Sequence, residues 1–416
     1  MSLKGCNAQD SAGDFCVIPI TEPDSKQHQR RTDILTCKYP ISSCMEVYLN
    51  RLKKGSDIWD EQAFIEGIRA FADLCGSKRT EYYNKPWKGL HYPHTFRREW
   101  NLDHPELHIF LEEEEEEEEE EACFQCPPSW ESGCRGKHLQ WTLTRVEDLP
   151  LSRSLNELIT ETTTIDCGMW NALVIWFGIR YVVGDEWLDR FFPFKSPNKP
   201  LVFTQSWQLR MEKDYTSGNL LHDLYDRPSE QESPDTPEPN TLVQARTVFN
   251  HPLYWFKRPW GTGRLQNVIQ IGADYLCFDP SAPNILSRKE LDEALRQRYN
   301  AQHTSEDDDQ LKFYKTYPGL VHPRRPTKTF GDLAKEADEL MSHTLSQADW
   351  DRSKADRTRS ANGLRLIFNT KRLLTCLEDV RELYLEGQLK EGDFFDYAKR
   401  RKTNDVWKTS LPALGI

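Results

Sequence analysis

The sequence predicts an α+β protein in which one buried helix packs on an antiparallel sheet. Three observations predict it. The run Asn171-Ala-Leu-Val-Ile-Trp-Phe-Gly-Ile-Arg-Tyr-Val-Val183 is apolar nearly all the way round, the pattern of a helix inside a domain rather than on its surface. Lys137–Arg145 alternates Leu139, Trp141 and Leu143 with polar neighbours, and Asn267–Asp279 holds two β-rich runs split by Gly272-Ala273-Asp274, a hairpin signal. Ser287, with Glu290 three residues on, opens a helix through Leu291 and Leu295 with a capping box.

Taken in order, residues 1–40 are polar, without a sustained period, and read as a tail. Residues 41–110 form a helical N-terminal region. In it, Met45, Val47, Tyr48 and Leu52, then Trp59, Phe64, Ile65, Ile68, Phe71 and Ala72, recur at helical spacing between Ser43 and Leu74, and Gly76 supplies a stop. The ten glutamates Glu112–Glu121 repel one another and belong in a solvated loop. Residues 122–300 hold the main domain, with a Pro/Glu/Ser/Asp-rich insertion at 226–240 that can form no core. Residues 301–328 read as a linker. Residues 329–416 read as helical, with Thr329 capping Phe330–Leu345 and a second amphipathic helix running from Gly363 through Leu374, Leu377, Val380 and Leu383.

A chain of 416 residues is long enough for one substantial core and a smaller unit. Its net charge is −12, and the glutamate run supplies ten of the negative charges, so the rest is nearly balanced. No basic surface suggests nucleic acid, and Lys399-Arg-Arg-Lys402 reads as a solvated helix end. No Gly-rich phosphate loop or dinucleotide fingerprint is present, so no nucleotide cofactor is expected. Asn171, Arg180, Asp185 and Glu186 argue against a membrane span for the apolar helix, and the N-terminus shows no apolar signal region. Eleven cysteines without a framework spacing fit a reducing, cytoplasmic setting.

Cys167 is the residue around which function is argued. It follows a short polar stretch, expected to be a strand, and opens the apolar helix. There it faces unpaired backbone N–H groups and the positive end of the helix dipole, which favour the nucleophilic thiolate. A nucleophile helix followed by a strand hairpin and a further helix is the order expected of a papain-like or NlpC/P60-like core.

The residues carry a more specific resemblance. Ile165-Asp-Cys-Gly-Met-Trp-Asn-Ala-Leu-Val-Ile-Trp-Phe177 with Val183-Gly-Asp-Glu-Trp-Leu-Asp-Arg-Phe191, then Phe249-Asn-His-Pro252, Trp260-Gly-Thr-Gly-Arg-Leu-Gln-Asn-Val-Ile-Gln-Ile-Gly272 and Tyr275, resemble the bacterial spore-coat protein-glutamine γ-glutamyltransferases. Trp130, Trp141, Pro150, Leu155 and Ile159 fall in the same order, and the resemblance covers roughly residues 124–300. It implies a transglutaminase-like acyltransferase without cofactor, acting on proteins that bear Gln and Lys. Cys167 would attack a glutamine carboxamide, release ammonia, and pass the acyl group from a thioester to a lysine amine or to water.

In that family the partner groups are carboxylates, one before the Cys and one opening the Glu-Asn-Val strand. Asp166 fills the first place. Gln266, followed by Asn267, stands in the second, and an amide can orient a group but cannot act as general base. Four outcomes stay open: Asp166 acts alone, Asp279 substitutes, His251 serves as base, or the fold is kept as an inactive binding module. A cysteine peptidase or amidase using His251 is a further reading. Cys123, Cys126, Cys134 and His138 have a spacing that zinc could use, but unlinked thiols are the expectation, with no metal.

Overall fold

A computed structural model of the chain describes residues 41–77, 126–135, 140–146, 148–161, 163, 165, 167–193, 201–204, 224–226, 242–258, 263, 265–278, 285–303, 305–322, 325–354, 365–392, 394 and 397. The tail, the glutamate run, the insertion beyond Asp226 and the basic run at 399–402 lie outside them, as do Asp166 and Asp279.

The described chain mixes helices with antiparallel sheets, an α+β architecture. Two helices open it, α1 (Ile41–Lys54) and α2 (Glu61–Ser77), where the sequence periodicity places them. Asp60 Oδ1 accepts the Ala63 N–H at 2.7 Å and so caps α2. A short sheet, β1 (Trp130–Arg135), β2 (Gln140–Arg145) and β3 (Val202–Thr204), buries Trp130, Leu143 and Phe203 beside α3 (Leu151–Thr160). The Trp130 indole N–H donates to the Ser154 carbonyl at 2.9 Å.

Helix α4 spans Cys167–Phe191 and is broken at Gly184, whose φ of 78° no ordinary helical residue adopts. Before the break it is buried on every side, packed against α1, α2, α3 and the sheets. Phe177 stacks on Phe71 with ring centroids 4.2 Å apart, and a Cβ at Gly178 would lie 2.8 Å from Ile68 Cγ1, so that glycine lets α2 approach. By length and composition α4 could cross a bilayer, yet 94% of its most apolar 18 residues are buried inside the protein. The one charge before the break, Arg180, is fully buried. It bonds Asp185 Oδ1 at 2.6 Å across the break and Asn156 Oδ1 at 2.6 Å on α3. A buried guanidinium needs such partners.

The main sheet has six antiparallel strands in the order β4-β11-β5-β6-β7-β8. They are β4 (Tyr225–Asp226), β5 (Val243–Phe249), β6 (Leu265–Ile271), β7 (Asp274–Cys277), β8 (Ile285–Ser287) and β11 (Arg365–Phe368). Between β5 and β6 lies the short helix α5 (Tyr254–Lys257). The expected hairpin is β6–β7, turning at Gly272 with φ 58°. One face of the sheet (Val243, Ala245, Ile269, Ile271, Leu276, Ile285) joins the core around α4. The other (Val248, Val268, Tyr275, Cys277, Leu286) packs on Leu291, Leu295 and Tyr299 of α6 (Arg288–Asn300). Helix α6 begins with the predicted Ser287–Glu290 capping box.

Three expectations change. Residues 301–328 are more than a linker: they hold α7 (Ser305–Thr316), β9 (Val321–His322) and most of β10 (Arg325–Thr329). Leu311 and Tyr314 of α7 share a small core with Phe330 and Leu333 of α8 (Phe330–Leu340), itself capped by Thr329 as predicted. Arg258 ties this unit down, bonding Asp307 Oδ2 at 3.0 Å and the carbonyls of Ala301 and Gln302 at 2.5 and 2.6 Å. Second, Arg365–Phe368, expected as the start of a helix, is strand β11, because Asn369 caps α10 (Thr370–Leu385) by accepting the Arg372 N–H at 2.9 Å. A short helix, α9 (Gln347–Arg352), stands between α8 and β11 and buries Trp350. Third, the described residues just before Cys167, Thr163 and Ile165, lie in no strand. Thr163 and Ile165 are buried in the connection from α3.

The N- and C-terminal regions are therefore parts of the core, since Tyr48, Phe368, Leu377 and Phe394 share one cluster with Trp176 and Ile269. Phe368 is 2% exposed and stacks on Phe64 with centroids 5.6 Å apart. Phe368→Ala should cost about 3–5 kcal/mol in urea unfolding, the usual loss for a buried phenylalanine. A loss below about 1 kcal/mol would show that the C-terminal region is separable.

Candidate functional site

Cys167 is the first residue of α4 and is half-buried, whereas Cys277 and Cys376 are buried. Its Sγ accepts a hydrogen bond from Asn267 Nδ2 at 3.2 Å, reaching across to β6. The amide is held in that orientation from behind. Thr247 stands directly opposite Asn267 in the β5–β6 register, and its hydroxyl donates to Asn267 Oδ1 at 2.8 Å. With its oxygen occupied by a donor, the amide presents N–H to the sulfur. An N–H donor stabilises the charged form of an acid, as the helix N-terminus does, so both partners favour thiolate.

The alternation of β6 separates the two residues that the sequence places side by side. Asn267 faces α4; Gln266 faces α6. The Gln266 amide donates to the Phe278 carbonyl at 2.5 Å and its oxygen accepts from Arg298 of α6 at 3.0 Å. As candidate partner of the thiol, Gln266 is thus replaced by Asn267, because successive strand residues point to opposite faces.

His251 is also drawn elsewhere. Its Nδ1 accepts the Leu253 N–H at 3.1 Å, and its ring meets Tyr299 of α6 edge-on with centroids 5.6 Å apart. The loop is set by buried Asn250, which donates to the carbonyls of Gly263 and Leu295 at 2.8 and 2.9 Å and accepts the His251 N–H at 2.7 Å. The structure therefore joins Cys167 with Asn267 and places Gln266 and His251 on the α6 side.

Of the thiols and imidazole with zinc-like spacing, Cys123 and His138 lie outside the described residues. Cys134 stands opposite Trp141 in the β1–β2 register, and the Cys126 thiol donates to the Trp130 carbonyl at 3.2 Å. Among the described residues no group of three or more His, Cys, Asp or Glu side chains is placed to hold a metal ion.

Thr247 was missed by sequence reasoning. Its signal is the alternation of Val243-Gln-Ala-Arg-Thr-Val-Phe249, which puts Val243, Ala245 and Thr247 on the helix-facing side, but only the register shows what Thr247 meets. Compared with known proteins, the chain matches no protein-family model, no curated protein and no solved structure.

At neutral pH, iodoacetamide should alkylate Cys167 faster than Cys277 or Cys376, as read by mass spectrometry of timed digests. Asn267→Ala should slow it by about tenfold, the worth of one charge-assisted hydrogen bond. An Asn267→Ala protein that alkylates at the wild-type rate would remove the amide from the site.

Proposed function

We propose that this chain is a glutamine-directed cysteine acyltransferase, transglutaminase-like, with a papain-like or NlpC/P60-like core. The observation that carries the reading is the half-buried Cys167 at the start of a buried helix, bonded by Asn267 from the sheet at 3.2 Å. The resemblance of residues 124–300 to protein-glutamine γ-glutamyltransferases supplies the substrate class.

In this reading Sγ attacks the γ-carboxamide carbon of a protein-bound glutamine. The S–C bond forms, the C–N bond breaks, and the thiol proton goes to the leaving nitrogen, which departs as ammonia. A lysine amine then attacks the thioester to give an isopeptide bond and restores the thiol; water in its place gives deamidation. Backbone N–H groups of the first turn of α4 stabilise the oxyanion. Asp166, adjacent in sequence to the thiol, is the candidate proton carrier. Substrates are proteins bearing Gln and Lys, the protein works in the cytoplasm, and no cofactor takes part.

One observation favours a second reading. The β6 side chain that meets the sulfur is an amide and not a base, as a module that keeps the fold for binding would have it.

Incorporation of a fluorescent primary amine into a glutamine-rich protein separates the two. The acyltransferase reading expects incorporation that Cys167→Ser abolishes and Asn267→Ala lowers by about 10–100-fold in kcat/KM. Gln266→Glu should stay within about threefold of wild type, because the new carboxylate meets Arg298 and not Sγ. No incorporation by a protein whose Cys167 alkylates rapidly would give the lead to the binding module.

A further inference from the structure

Asn171 stands four residues after Cys167, one turn further along α4. It is fully buried, and neither its amide nitrogen nor its amide oxygen has a hydrogen-bond partner. The indole N–H of Trp170, also fully buried, has none either. Burying polar groups unpaired is costly, and each such group in a native structure calls for an explanation, a ligand or a reaction among them. The other amide at this site behaves in the opposite way, with Asn267 engaged at both ends.

Helix geometry puts Asn171 on the face of α4 that carries Cys167. Residues four apart share a face, and helical side chains lean back toward the N-terminus, so the Asn171 amide covers the turn that carries Cys167. What it offers there is one edge bearing an N–H donor and a C=O acceptor side by side.

We propose that Asn171 is the specificity-determining residue of the site, pairing with the primary carboxamide of a glutamine side chain as its carbon meets Sγ. The proposal rests on the acyl-transfer reading above. Two primary amides pair through two hydrogen bonds because each has an N–H on the same side as its C=O. A trans peptide bond holds its N–H on the opposite side and can make only one. The pairing lies in the plane of the substrate amide and leaves its face open to the sulfur. Asn171 thereby selects side-chain carboxamides over the peptide backbone, which directs Cys167 to transamidation or deamidation and away from proteolysis.

The test is protection of Cys167 against iodoacetamide by two peptides of one sequence, one with glutamine and one with its γ-N-methyl derivative, whose remaining N–H lies opposite the C=O. The glutamine peptide should protect at about tenfold lower concentration. In Asn171→Leu, close in volume and without the orphaned groups, the difference should vanish while the alkylation rate of the free protein and its thermal stability hold. Equal protection by the two peptides, protection by neither, or an undiminished difference in Asn171→Leu overturns the proposal. The wild-type comparison needs no variant to fold. It also separates this proposal from the catalytic one, which fails instead if selective protection is seen without amine incorporation.

Discussion

Everything in this molecule is arranged to keep one helix dry. From Gly168 to Gly184 every residue of α4 is buried, and no single layer could cover it. Helices α1 and α2 close over one side, α3 and the short sheet over another, and the six-stranded sheet over a third. The hydrophobic gain from an apolar helix of this length is what draws segments from both ends of the chain into one interior. The cost falls on the few polar groups trapped there. Arg180 is matched by Asp185 and Asn156, whereas Asn171 is left unmatched one turn from the half-buried Cys167.

The chemistry follows from that same burial. A helix enclosed from Gly168 to Gly184 meets solvent only toward its ends, and Cys167 opens one of them. The sheet that covers the helix must offer it one strand face. Along β6 that face reads Asn267, Ile269, Ile271, so a single polar residue ends an otherwise apolar row and meets the sulfur. Thr247 extends the polar patch by one strand without adding a titratable group. The sheet thus offers the sulfur an N–H donor, from Asn267.

Much of the fold was legible because it is written in local signals. The Ser287–Glu290 box, the Thr329 cap, the turn at Gly272 and the all-round apolar run each act within a few residues, and each lies where the sequence places it. What was not legible depends on partners distant in sequence. Leu366 and Phe368 suit a helix or a strand equally well, and only β4 and β5 decide between them. The choice between Gln266 and Asn267 is a question of parity, and a family-like motif read along the chain carries no parity until a strand is docked. Asp307 and the carbonyls of Ala301 and Gln302 gain their meaning from Arg258, more than forty residues earlier, so the 301–328 segment looks like a linker until that contact is seen.

The position of β11 has a consequence for synthesis. It lies between β4 and β5, although the chain reaches it more than a hundred residues after β5. While the protein is being made, the outer edge of β5 therefore stays open until the ribosome has passed residue 368. An open edge beside exposed apolar surface invites pairing with other nascent chains. The sheet cannot close co-translationally from its N-terminal parts, and its completion is a late, long-range event of the kind that folds slowly. A growing chain thus carries its largest sheet unfinished until the residues of β11 have been made.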